Sequence, residues 1–190
     1  MLDINKILVI DDVIPKNYQE YIKNTLYGIN MPWALVLSAT ESTTLDPALN
    51  HLFYSRNPKY QTKYWGLVAP ILYAAADKAN IEINDVVKAR SFLQLPVHPD
   101  LFPERQNAHV DLPIPHTVVL YYVNDSDGPT YLYKQTADKL HRDMGKNLIG
   151  DPIKVVEPKQ GRVVIFNGLR YHAGSTPKQN LRCVINFDIV

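Results

Sequence analysis

Residues 116–133 read HTVVLYYVNDSDGPTYLY. Two runs of β-branched and aromatic residues, His116 to Val123 and Thr130 to Tyr133, flank Asp125-Ser126-Asp127-Gly128. Asp, Ser and Gly supply turn geometry, so the stretch predicts strand, turn, strand. The same texture continues on both sides. Upstream lie KARSFLQL (Lys88 to Leu95) and AHVDL; downstream lie IKVVE, GRVVIF (Gly161 to Phe166) and the terminal RCVINFDIV. Pro158-Lys159-Gln160-Gly161 is a second strong turn signal. The polar stretch Thr136 to Gly150 predicts a short inserted helix.

Before about residue 85 the texture is different. Pro15 suits a first helical turn, Tyr18, Ile22 and Leu26 recur at helical spacing, and Gly28 offers a stop. A second helix is predicted from Tyr64 to Lys78, with Leu67, Ile71, Leu72 and Ala75 facing inward. Ile7 to Ile10 and Trp33 to Ser38 read as strands. No repeat or linker interrupts the chain. Residues 1–190 therefore predict a single domain: 1–85 form a helical and strand support layer, and 86–190 form a β-sandwich or small barrel carrying the site.

Composition narrows the function. Twenty basic residues against nineteen acidic give a net charge of +1, which offers no long-range field to draw in nucleic acid or anionic lipid. The lone Cys183 makes neither an intrachain disulfide nor a thiolate metal site. MLDINKILVIDD lacks a basic leader followed by a long apolar stretch, and Trp65 to Ala79 is too short to span a bilayer. These features predict a cytoplasmic protein with no membrane partner; oligomeric state is left open.

The chemistry lies in the histidines. His-x-Asp places two metal ligands on one side of a strand, because residues i and i+2 point the same way. The pattern occurs three times, at His98/Asp100, His109/Asp111 and His141/Asp143. Pro99 disfavours a central strand in the first, and the third lies in the stretch expected to be helical. His109-Val110-Asp111 has an apolar middle residue and a β-like continuation. A second histidine, His172, follows GRVVIF, 61 residues beyond Asp111 (172 − 111). Two histidines and a carboxylate on one face of an iron leave three positions for co-substrate and dioxygen. Arg182, ten residues after His172 (182 − 172), stands inside a β-like run, where a buried guanidinium calls for an anionic partner such as a carboxylate.

Together HVD, LYYVND, DG-x-T-x-L-Y, G-x-V-V-I-F-N-G, YHAGSTP and Arg182 resemble the 2-oxoglutarate and Fe(II)-dependent oxygenases, in particular the prolyl 4-hydroxylase-like branch with its small phage-encoded members. The resemblance covers about Lys88 to Val190. It implies a double-stranded β-helix (jelly roll) buttressed by N-terminal helices. It also implies Fe(II) on His109, Asp111 and His172, 2-oxoglutarate as co-substrate, and O2 as oxidant. By the same resemblance Arg182 binds the distal carboxylate of 2-oxoglutarate. Tyr122 supports it, Leu120 lies on the same face and Thr130 lines the pocket; a register shift of one would select Tyr121 instead. The implied reaction is hydroxylation of a C–H bond, with succinate and CO2 released, on a peptidyl proline or a small molecule. Leu95 departs from the pattern where related hydroxylases have a tyrosine, and the Pro96–Ala108 segment reads as a lid or a surface loop. Competing readings are a cupin-like metalloenzyme without 2-oxoglutarate and a non-catalytic binding module.

Overall fold

The computed structural model describes residues 2–37, 47–98, 105–137 and 150–190, together with the backbone of 143–144. Among the described residues, thirteen strands and two helices run in the order β1 (Ile7–Ile10), α1 (Lys16–Leu26), β2 (Ala34–Val36), β3 (Ala48–Ser55), β4 (Tyr60–Gln61), α2 (Trp65–Ala79), β5 (Val86–Gln94), β6 (Ala108–His109), β7 (Thr117–Tyr122), β8 (Thr130–Thr136), β9 (Asp143–Met144), β10 (Lys154–Val156), β11 (Val163–Asn167), β12 (Arg170–Gly174) and β13 (Arg182–Ile189).

From β5 onward the chain crosses repeatedly between two antiparallel sheets. The larger has the order β1-β11-β7-β13-β5-β3-β2, with β4 on β3; the smaller has β10-β8-β12-β6-β9. This alternation is the double-stranded β-helix, the jelly roll expected from the sequence.

Period-2 alternation gives the larger sheet two buried faces. On β7 and β11, Val119, Tyr121, Val163 and Ile165 point to the helices, while Leu120, Tyr122, Val164 and Phe166 point between the sheets. Ile22 and Leu26 of α1 and Val68, Ile71, Leu72 and Ala75 of α2 are all fully buried in the helical layer. Each large apolar side chain so placed contributes about 1.5–3 kcal/mol. The Tyr18 hydroxyl donates to the Leu67 carbonyl at 2.7 Å and ties the helices together. Leu67, predicted to face inward, is only half-buried, and Val68 takes the inner position one residue on.

The first 85 residues are more than a buttress. β1 closes one edge of the larger sheet on β11, with Ile7 opposite Phe166. At the other side β3 pairs along most of β5. The sequence reading did not anticipate β3, because Ala48–Ser55 mixes Asn50, His51 and Ser55 among its apolar residues. Asp143–Met144 form strand β9 rather than helix, pairing with β6. The rest of the expected helix between Thr136 and Gly150 falls almost wholly outside the described residues. No helix among the described residues is long and apolar enough to cross a membrane.

Candidate metal centre and its cleft

The smaller sheet assembles the site. β12 lies between β8 and β6, and its His172 is the cross-strand partner of His109. The two imidazoles therefore lie side by side, with ring centroids 4.6 Å apart. Asp111, two residues beyond His109, reaches the same point. One ligand atom from each of the three residues lies within 4.8 Å of the others. Among the described residues this is the one His, Cys or carboxylate cluster of that kind. His109 Nε2 is 4.0 Å and His172 Nε2 is 3.4 Å from the Asp111 carboxylate.

The ring tautomers suit a metal. His109 Nδ1 donates to the Asn107 carbonyl at 3.0 Å, and His172 Nδ1 to the Arg170 carbonyl at 3.3 Å. Each backbone bond fixes the proton on Nδ1 and leaves the Nε2 lone pair facing the site. Burial, with His172 alongside, lowers the His109 pKa to about 4, so its ring is neutral, as a ligand must be. Burial opposes ionisation of Asp111, but Arg90 and the two histidines outweigh it and hold the carboxyl well below its ordinary range. Two imidazoles and one carboxylate fit a divalent ion of the first transition row.

Asp111 has two further partners that the sequence reading missed. Arg90 Nη2 pairs with Oδ1, and Asn186 Nδ2 donates to Oδ2 at 3.1 Å. Both come from paired strands of the larger sheet, where Asn186 of β13 stands opposite Arg90 of β5. The signal was present: Lys88, Arg90 and Gln94 in KARSFLQL, and Arg182, Asn186 and Asp188 in RCVINFDIV, fall on one face of their strands.

Arg182 and Thr130 meet in the same cleft, a space of about 530 Å³ counted out to solvent. Arg182 is 5% exposed. Its Nε donates to the Gly128 carbonyl at 2.7 Å, Nη1 to Gln94 Oε1 at 2.8 Å, and Nη2 to Thr130 Oγ1 at 3.0 Å. These three acceptors are neutral and fix the plane of the fork. Gly128 is required here: a Cβ would lie 2.7 Å from the Ser175 carbonyl oxygen and 2.9 Å from Arg182 Cδ.

Tyr122 is fully buried and stands behind Thr130, its hydroxyl donating to Thr130 Oγ1 at 2.8 Å. It reaches the cleft through that threonine, whereas Leu120 contributes directly to the wall. Tyr121 points to the opposite face, among the helices. Of the other His-x-Asp pairs, Asp100 and His141 lie outside the described residues, and the backbone of Asp143 pairs opposite His109. Leu95 is exposed. Residues 99–104, including Phe102 of the expected lid, are outside the described set; the Arg105 guanidinium lies over Tyr131, 5.3 Å from the ring centroid.

No family model and no curated protein matches this sequence. Solved structures do match in fold. A 2OG-Fe(II) oxygenase family oxidoreductase from Burkholderia pseudomallei superposes with a TM-score of 0.68 at 13% identity, covering 96% of this chain and 84% of its own. A Trichoplax adhaerens prolyl hydroxylase, solved with a hypoxia inducible factor peptide, gives 0.62 at 15% identity over 97% and 83%. The viral collagen prolyl hydroxylase of Paramecium Bursaria Chlorella virus-1, solved with 2OG, gives 0.58 at 12% over 97% and 96%. At these identities the likeness is one of fold.

Proposed function

We propose that the chain is a non-haem Fe(II) oxygenase that uses 2-oxoglutarate and O2 to hydroxylate a C–H bond of a peptide or small-molecule substrate, releasing succinate and CO2. One observation carries the reading: two Nε2 atoms and a carboxylate meet on the same cleft as a buried guanidinium whose plane three neutral acceptors fix. A ferrous ion in that set supplies dioxygen activation and a Lewis-acidic anchor for a 2-oxo acid.

The chain's own residues supply placement. His109, Asp111 and His172 hold the ion, and Asp111 offsets part of its charge. Arg182 receives the distal carboxylate of 2-oxoglutarate on its planar fork. Gln94 and the Gly128 carbonyl keep the fork from turning. Thr130 Oγ1 accepts from both Arg182 and Tyr122, which leaves its own proton to donate into the cleft. Leu120, backed by Phe166, keeps water from that end. Buried Cys183 and a ferrous requirement fit a reducing compartment.

The test is an anaerobic titration of the Fe(II)-loaded protein with 2-oxoglutarate. A weak visible charge-transfer band should appear only with both present, weaken in Arg182→Lys and vanish in His172→Ala. Confirmed iron binding without the band would refute use of 2-oxoglutarate and favour a metalloenzyme of another kind.

A further inference from the structure

The described lining of the cleft carries more positive charge than 2-oxoglutarate can neutralise. Arg90 and Arg182 both line it, and among its described lining residues Asp111 is the sole carboxylate. Two guanidiniums against one carboxylate leave these described lining residues one positive charge. A divalent ion raises this to three, and dianionic 2-oxoglutarate returns it to one. In a partly desolvated cleft an uncompensated charge is costly, so it calls for an anion.

The surplus falls at Arg90. Arg182 already faces the co-substrate in the reading above, on which this inference rests. Arg90 comes from β5 with its guanidinium 5.1 Å from the Phe92 ring centroid and one amino group on Asp111. Its side chain is 18% exposed, so a molecule entering the cleft can reach it. Its Nε is buried and meets no acceptor among the described residues. The same is true of Nε2 of Gln106, another cleft-lining side chain. Two donors without acceptors, one on a cation, call for a ligand rich in acceptor oxygens.

We infer that the molecule oxidised by this protein carries a carboxylate that docks on Arg90, with Gln106 as a second donor. Because Arg90 touches the metal-site carboxylate, the docked anion lies only a few bonds from the carbon presented to the metal. That geometry favours a small carboxylic acid, such as a free amino acid, over a peptidyl proline, whose neighbouring groups are neutral amides.

The test is a binding measurement without turnover. Anaerobic protein carrying Fe(II) and 2-oxoglutarate is titrated with the common free L-amino acids, with their carboxamides, and with an end-blocked proline-containing peptide. Displacement of the visible band reports occupancy beside the metal. At least one acid should bind about ten- to a hundred-fold more tightly than its amide. That ratio should collapse toward one in Arg90→Gln and survive in Arg90→Lys. Comparing acid with amide inside each variant removes any general effect of the substitution on Asp111. The inference is overturned if no acid displaces the band, if acid and amide bind alike, if the preference survives Arg90→Gln, or if the blocked peptide is the better ligand. Failure of the band to form with 2-oxoglutarate would instead overturn the underlying reading.

Discussion

Replacing Asp188 with asparagine should stabilise the metal-free protein, by an amount that grows as pH rises. Asp188 is fully buried on the inner face of β13. Its Oδ1 lies 3.3 Å from Asn186 Nδ2 and 3.7 Å from His116 Nε2, and its Oδ2 meets no donor among the described residues. Burial first, and the nearby charge of Asp111 second, raise its pKa from 3.8 to about 8. His116 Nδ1 donates to the Ile114 carbonyl at 2.7 Å, so its neutral ring turns an acceptor toward Asp188, and burial lowers that ring's pKa. A protonated acid facing a neutral imidazole is the consistent state. Between pH 4 and 8 the unfolded chain has released this proton while the native chain retains it. The native state then binds more protons, and stability falls with rising pH by up to about 1.4 kcal/mol per unit. Across the interval the loss is on the order of 5 kcal/mol, complete above the folded pKa and absent below the unfolded one. Asparagine mimics the neutral acid, offers an N–H toward His116 and has no proton to lose. Urea unfolding of both proteins in EDTA, at pH 5, 6, 7 and 8, should show the variant's advantage widening by about 1 kcal/mol per unit. A difference independent of pH would refute a neutral Asp188. A variant less stable than wild type at pH 5 to 6 would indicate an ionised pair with protonated His116.

Arg182→Lys keeps the charge but loses the fork; calorimetry should show 2-oxoglutarate binding about ten- to a hundred-fold weaker, with metal affinity changed less than about threefold. Equal losses in both would make Arg182 structural. Thr130→Val is nearly isosteric and removes the hydroxyl that joins Tyr122 to Arg182, so the co-substrate should bind about 1–2 kcal/mol less well. Asp111→Ala should abolish metal loading in a Mn(II) titration, since it removes the only charged ligand and leaves Arg90 beside two imidazoles. Gly168→Ala would place a Cβ 2.1 Å from the His116 ring and should cost more than about 2 kcal/mol by thermal unfolding. An unchanged midpoint would show that the turn before β12 yields freely.

The parts of the molecule legible in the sequence are those whose information is local. Val119, Tyr121, Val163 and Ile165 alternate with Leu120, Tyr122, Val164 and Phe166, so the strands of the jelly roll could be read from composition and period. His-Val-Asp could be read as a ligand pair for the same reason. β3 was not legible, because its half-buried positions carry Asn50 and Tyr54 and it earns its place through pairing with β5, a non-local property. β9 is two residues long and exists only because β6 offers an edge. Arg90 and Asn186 were missed as site residues because their meaning depends on standing opposite each other across two strands more than ninety positions apart, and both reaching Asp111.

Strand β13 shows why the site holds its shape before any metal or co-substrate arrives. Arg182, Val184, Asn186 and Asp188 face the space between the sheets; Cys183, Ile185, Phe187 and Ile189 face the helices and are at most 1% exposed. A slip of one residue against β5 or β7 would exchange the two sets. Arg182 and Asp188 would enter an apolar layer with no partner built for them, and Phe187 would leave it. The same step would separate Asn186 from Asp111 and Arg182 from Thr130. Several buried apolar side chains and two buried charged or polar clusters therefore oppose one displacement. Selection on core packing alone already fixes the register, and the functional groups occupy the positions that packing leaves over. Changes at Arg90 or Gln94, on the cleft-facing positions of β5, can consequently alter what the cleft binds while Ala89 and Leu93 hold the strand in place on the other side.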